Sequence, residues 1–213
     1  MTDRPRPPLL WLVRHGETTW SWLGRMQGHR NEPLLTPKGR RQAEELAGRL
    51  ASRPVERVLS SDLRRAVETA LPIAAAFDLP VELDPRLRER NLGVMEGESS
   101  DRLTPRLSGV AGGVVRDPDA CPPGGESVRE LYERVAAFAD DLAGDEPFGD
   151  AVVVAHGGVV RVLRAILAGI PPESMEWGPV ENGCLIAERW PLPSPGGAPR
   201  RITEALAVAG VPW

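Results

Sequence analysis

An arginine and a histidine stand side by side at the end of an apolar run, in "LLWLVRHGETTW" at residues 9–20. A second apolar run, "AVVVAHGG", ends in the same way at His156. Two further segments set polar groups among apolar neighbours: Arg64 and Arg65 in "LSSDLRRAVETA", and Glu89 in "LRERNLGVMEG". Such groups are costly to bury, so at strand ends they are expected to project into a cleft and face opposite charge. Two arginines, two histidines and a carboxylic acid suit a phosphate dianion. Arginine stays charged at any workable pH and grips phosphate oxygens in two-point geometry. A neutral imidazole can attack phosphorus and form a phosphohistidine, dividing one displacement into two. Phosphoryl transfer needs mainly positioning and charge stabilisation, so a fixed cluster of cations can serve without a metal. The departing alkoxide still needs a proton. A carboxylic acid close to a dianion is kept protonated for that task by charge repulsion.

For these groups to meet, their strands must end at one edge of a sheet. Strand-like runs cover residues 9–13, 58–60, 81–83, 151–155 and 184–189, and "AVVVAHGG" lacks alternation, as a strand covered on both faces does. Helical patterns fall between them. Thr36 reads as an N-cap with Pro37 at the first helical position, and Ala43, Leu46, Ala47 and Leu50 share one face. Asp62 is placed to cap "LRRAVETALPIAAAF", which Pro72 must kink or interrupt. In "SVRELYERVAAFADDLAG", Ser127 and Glu130 form a capping box, and Val128, Leu131, Val135, Phe138 and Leu142 make an apolar stripe. "GVVRVLRAILAG" follows the 151–155 run, with Gly169 as its stop.

Strands alternating with helices predict an α/β fold, a three-layer α/β/α sandwich with a mostly parallel central sheet flanked by helices. Ligands of open α/β sheets sit beyond the carboxyl ends of strands. Arg14, His15 and His156 would then meet at one crevice, with Gly16, Gly157 and Gly158 allowing close backbone approach. Residues 97–126 read as an irregular excursion over the sheet, and "PLPSPGGAPR" near the C-terminus as a loop. No internal repeat is present, so residues 1–213 are expected to form a single domain.

Composition narrows the partners. Net charge is −4, which gives no support to nonspecific nucleic-acid binding. Lys38 is the only lysine among 26 basic residues. No run is long enough to cross a bilayer, and residues 9–13 are too short for a secretory signal core. Cys121 and Cys184 are far apart and lack metal-ligand partners, as suits a reducing cytoplasm. "GVAGGVV" lacks the Lys-Ser/Thr of a P-loop.

Six motifs, in order along most of the chain, resemble the histidine phosphatases, the superfamily that also holds the cofactor-dependent phosphoglycerate mutases. They are "RHGETTW" at 14–20, "GRMQG" at 24–28, "SSDLRRAVET" at 60–69, "LRERNLGVMEG" at 87–97, "PPGGES" at 122–127 and "AHGG" at 155–158. The resemblance implies a phosphoglycerate mutase-like fold and makes His15 the nucleophile that becomes phosphorylated. It assigns the phosphate to Arg14, Arg65 and His156, and the proton donor to Glu89. Arg65 is preferred to Arg64 because the family's phosphate arginine directly precedes the alanine, here Ala66. Ser21, Gln27, Gly28 and Gly157 complete the expected phosphate and substrate contacts. Ser21 stands where the family usually has asparagine, Asn31 where an acidic residue is frequent, and Met95 where phosphatase members commonly carry tryptophan. His29 is read as structural or at the substrate rim, Glu17 as fixing its loop, and Trp20, Trp22 and Trp177 as packing or pocket-lining.

Three functions compete. In a phosphomonoesterase, water takes the phosphoryl group from His15. A phosphoglycerate mutase returns it to a bound intermediate, and a binding module would recognise phosphorylated ligands without turnover. Mutases place a tyrosine and a lysine where this chain has Leu92 and Ser100, and "PPGGES" is the phosphatase style. The expected activity is therefore metal-independent hydrolysis of a small phosphorylated metabolite, with no cofactor, no metal and no nucleic-acid or membrane partner. A homodimer is kept as the candidate assembly.

Overall fold

The computed structural model describes residues 8–145 and 149–190. In chain order the elements are β1 (Leu9–Arg14), α1 (Thr19–Trp22), α2 (Pro37–Leu50), β2 (Val55–Ser60), α3 (Arg64–Ala76) and β3 (Val81–Leu83). There follow α4 (Pro105–Ser108), β4 (Val110–Ala111), β5 (Val114–Val115), α5 (Val128–Gly144), β6 (Asp150–Ala155), α6 (Gly157–Leu167) and β7 (Leu185–Arg189). The main sheet has the order β3-β2-β6-β1-β7. Its first four strands are parallel, and β7 adds an antiparallel edge beside β1. The expected three-layer, mostly parallel sandwich is thus observed.

The unbroken apolar runs are explained by cover on both faces. Trp11, Val13, Val152 and Val154 pack with Leu46, Leu50, Ala70 and Ile73 of α2 and α3. Leu10, Leu12, Val153 and Ala155 pack with Leu131, Val135, Phe138 and Leu163 of α5 and α6. Buried Asp150 fixes the β1–β6 pairing, accepting the Leu9 N–H and the Trp11 indole N–H, both at 3.0 Å.

Local signals held where they are local. Thr36 caps α2 through the Gly39 N–H with Pro37 in the first turn, and Ser127 and Glu130 close the capping box of α5. Gly169, with φ of +68°, ends α6. Two expectations need correction. Asp62 does not cap α3, which starts behind Leu63 without a side-chain cap; Asp62 pairs with Arg88 instead. Of the two outcomes expected at Pro72, a kink or an interruption, the interruption does not occur: α3 runs through the proline, with Ala66, Ala70, Ile73 and Ala74 buried on both sides of it. β2 also begins earlier than its apolar run, at Val55, with a register shift between Val55 and Arg57.

Residues 97–126 carry more structure than an irregular excursion: a 3-10 turn at Ser100–Arg102, helix α4 and the β4–β5 hairpin. The hairpin is tied down by the Val115 N–H donating to Met175 O at 2.9 Å. Buried Arg90 staples the whole stretch, donating to the carbonyls of Ser108, Ala120 and Glu126 at 2.6–2.8 Å. "PLPSPGGAPR" lies outside the described residues.

Candidate active site

Parallel pairing of β1 with β6 sets Arg14 opposite Ala155, and the His15 N–H donates to Ala155 O at 3.0 Å. The next residue on each strand is therefore a histidine beside a histidine. Their ring centroids are 5.2 Å apart and the rings tilted by 58°. Both are buried, His15 at 2% exposure and His156 at 0%. Burial, reinforced by the charges of Arg65 and Arg14, pushes the His15 pKa well below the ordinary 6.5. The same direction holds for His156, again from burial first and then Arg65. Both imidazoles are neutral near pH 7.

Hydrogen bonding distinguishes the two nitrogens of His15. Nδ1 lies 2.8 Å from Gly16 O, and a carbonyl can only accept, so Nδ1 carries the proton. Nε2 keeps the lone pair. The backbone around it is held from two directions. Thr69 of α3 accepts the Gly16 N–H at 3.1 Å, and Asn182 Nδ2 donates to His15 O at 3.1 Å.

The arginines arrive from separate elements. Arg65, in the first turn of α3, is 1% exposed and donates to Gly28 O and Arg30 O, each at 2.7 Å, which clamps the 28–30 loop over the site. Burial lowers its pKa to about 10. Arg14 donates through Nη1 to Val180 O. Arg64, one residue from Arg65, sits at the surface paired with Glu68 at 2.6 Å. The Nε of Arg14, the Nε of Arg65 and the Nδ1 of His156 are buried with no hydrogen-bond partner among the described residues. His156 Nε2 is 2.9 Å from Ser61 Oγ.

Glu89 approaches from the other wall. Its carboxylate sits at the N-terminus of α6, accepting the Gly158 N–H at 3.1 Å, and it accepts the Arg90 N–H at 2.9 Å. Residue 158 must be glycine for this: a Cβ there would lie 2.3 Å from Glu89 Oε1. His29 Nε2 holds the Glu89 carbonyl at 2.8 Å, which gives this histidine a positioning contact.

Arg14, His15, Gln27, Gly28, Arg65 and Glu89 all line one cleft of about 370 Å³. Ser21 does not line it. Its hydroxyl closes the capping box of α1 with Thr18, so the expected substrate contact is replaced by a local one. His156 and Gly157 do not line the cleft either; His156 packs its ring against His15, and a Cβ on Gly157 would lie 3.7 Å from Arg14 Nε and 3.8 Å from Glu89 Oε2. Sequence reasoning missed Arg161, which lines the cleft and stacks on Trp177 with 5.0 Å from guanidinium carbon to ring centroid. It also missed Asn182 and Ser61. Helical spacing marks Arg161 only as a polar position, and Asn182 reaches the site from the loop before β7, a strand that no local pattern links to β1. Trp177 lines the cleft, whereas Trp20 and Trp22 do not. Among the described residues no group of three or more His, Cys, Asp or Glu side chains is arranged to hold a metal ion, and no helix is long and apolar enough to cross a membrane.

Comparison with known proteins identifies the family. The "Probable phosphoglycerate mutase GpmB" of Yersinia enterocolitica is 38% identical over 177 residues, covering 78% of this chain and 77% of that protein. Among solved structures, a mycobacterial glucosyl-3-phosphoglycerate phosphatase in complex with VO3 aligns with a TM-score of 0.74 and 32% identity, over 84% of this chain and 90% of that one. The α-ribazole phosphatase of Shigella flexneri gives 0.74 and 33%, over 84% and 89%. Residues 10–190 match the family described as "Histidine phosphatase superfamily (branch 1)". The chain belongs to the histidine phosphatase superfamily.

Proposed function

We propose that this protein is a metal-independent phosphomonoesterase acting on a small phosphorylated metabolite in the cytoplasm, with no nucleic-acid or membrane partner. The observation that carries the reading is the trio of buried, unpartnered nitrogens on Arg14, Arg65 and His156 around an imidazole whose Nε2 keeps its lone pair. Buried polar atoms in native proteins almost always have partners, and a phosphoryl group supplies acceptors for all three. With the Ser61 hydroxyl donating to His156 Nε2, Nδ1 becomes the donor. The Nε2 lone pair of His15 attacks phosphorus, the ester P–O bond breaks, and Glu89 gives its proton to the leaving oxygen. Water then attacks the phosphohistidine, Glu89 takes back a proton, and inorganic phosphate leaves with His15 restored.

A second reading, phosphoglycerate mutase, is favoured by the names of relatives at 38–39% identity. Against it, Leu92 and Ser100, which stand where mutases carry tyrosine and lysine, both line the cleft. Arg102, one of the scattered arginines of the excursion, is exposed and paired with Glu98. Hydrolysis of p-nitrophenyl phosphate in EDTA, abolished in His15→Ala and inhibited by vanadate, is the expected outcome. A requirement for added divalent metal would overturn the mechanism. Rapid conversion of 3-phosphoglycerate to 2-phosphoglycerate without matching free phosphate would establish the mutase instead.

A further inference from the structure

The lone pair on His15 Nε2 depends on the orientation of one peptide group. Nδ1 holds its proton because the Gly16 carbonyl faces it at 2.8 Å. In a planar trans peptide the carbonyl and the N–H point in opposite directions, so the Gly16–Glu17 unit could offer the ring either one. Glycine, with no Cβ, puts up little resistance of its own to such a turnover. Turned over, the unit would point the Glu17 N–H at the ring. Nδ1 would then accept, the proton would sit on Nε2, and the lone pair needed for attack would be lost. The surroundings of this peptide therefore decide which nitrogen is the nucleophile.

Two amide side chains grip its two ends. Gln42 of α2 accepts the Glu17 N–H through Oε1 at 2.8 Å. Asn182, from the loop before β7, donates from Nδ2 to His15 O at 3.1 Å and, more weakly, to Gly16 O at 3.4 Å. The two amides are themselves linked: Gln42 Nε2 donates to the Asn182 carbonyl at 3.1 Å, which leaves Oε1 as the atom that faces Glu17. Gly183 completes the grip, its N–H donating to the carbonyls of Arg14 and His15 at 3.1 and 3.2 Å. This residue has a φ of +70° in a turn closed by the Cys184 N–H on Glu181 O, and a Cβ there would lie 3.0 Å from Gln42 Cβ. Gln42 and Asn182 do not line the cleft, so neither acts on the substrate directly.

We propose that Gln42 and Asn182 are positioning residues that lock the Gly16–Glu17 peptide with its carbonyl toward His15, and so keep the attacking lone pair on Nε2. The proposal rests on the reading of His15 as the nucleophile. Losing the lock moves a proton within one ring and leaves Arg14, Arg65 and His156 in place for the phosphate. His156 is an internal reference, because its Nε2 faces Ser61 Oγ at 2.9 Å and not this peptide.

Nitrogen-15 NMR of histidine-labelled protein reads the tautomer without turnover, and the chain has only three histidines to resolve. In the wild type, the His15 signals, assigned by their absence from His15→Ala, should show Nδ1 protonated and Nε2 bare at pH 7. Gln42→Met and Asn182→Leu keep side-chain bulk and remove the polar contacts. Each should give His15 a populated second tautomer with the proton on Nε2, while His156 stays as in the wild type. Phosphorylation of His15 by p-nitrophenyl phosphate, followed by rapid quench, should slow ~10- to 100-fold, while the Kd for inorganic phosphate changes by less than about threefold. Gln42→Glu, which retains an acceptor for the Glu17 N–H, should recover most of the tautomer and of the rate. Where a variant fails to fold, alanine at the same position carries the same expectation. An unchanged His15 tautomer in both variants overturns the proposal, as does a rate loss matched by an equal loss of phosphate affinity. Wild-type turnover with no phosphate on His15 would instead strike the nucleophile reading, since the tautomer comparison does not depend on it.

Discussion

At the scale of single residues, the proposed chemistry depends on two protons: the one His15 keeps on Nδ1 and the one Glu89 gives away. The Gly16 carbonyl fixes the first. The second depends on where the Glu89 carboxyl stands, and Gly158 sets that position. Gly158→Ala would place a methyl group 2.3 Å from Glu89 Oε1, and the flexible end of that side chain, not the helix, must give way. The variant should fold normally and lose about 100-fold or more in kcat for alkyl phosphates, as Glu89→Gln should, since general acid catalysis contributes about 10²–10⁴-fold. p-Nitrophenyl phosphate, whose leaving group needs little help, should be much less affected. Equal loss with both esters would speak against the acid role. Much of this layer was legible because residue identity and order carry it. Ala66 pointed to Arg65, which the fold buries in the cleft while Arg64 stays outside with Glu68. Ser21 and Asp62 were not legible: each has a short polar side chain with several possible partners, and the fold gave them Thr18 and Arg88.

At the scale of elements, the site is the meeting of strand ends with helix starts. His15 and His156 directly follow adjacent strands, Arg65 lies in the first turn of α3, and Glu89 rests on the first turn of α6. Helix α5 supplies the packing under β6, and its start is fixed by a reciprocal box in which Ser127 accepts the Glu130 N–H at 3.1 Å while Glu130 accepts the Ser127 N–H at 2.7 Å. Ser127→Ala should lower unfolding free energy by about 1 kcal/mol with kcat unchanged, read from urea denaturation at constant slope. Capping boxes and unbroken apolar strands could be read directly because their partners lie within a few residues. The β4–β5 hairpin and the loop before β7 could not. Their strands are two residues long or pair across the sheet, and their placement depends on Met175 and on the Arg14–His15 backbone far away in sequence.

For the whole molecule, the consequence is a site prepared for an anion before one arrives. Two neutral, buried histidines beside buried arginines hold their proton affinity low. Below pH 6.5 the unfolded chain takes up protons that these histidines refuse in the fold, so stability must fall as pH drops, by up to about 1.4 kcal/mol per pH unit for each. The denaturation midpoint should hold steady from pH 8 to 7 and decline from 6.5 to 5, above the range where carboxylates titrate. Saturating phosphate should flatten that decline, because a bound dianion favours the protonated imidazole. A midpoint that stays level to pH 5 without ligand would contradict the burial of the pair. The most direct measurement, however, is on the reaction itself. A labelled phosphomonoester is mixed with the wild-type enzyme, quenched in base within milliseconds, and the phosphorylated peptide sequenced by mass spectrometry. The expected result is an acid-labile, base-stable phosphoryl group on His15, absent from His15→Ala; phosphate on another residue, or turnover with no phosphoenzyme at any quench time, would contradict it.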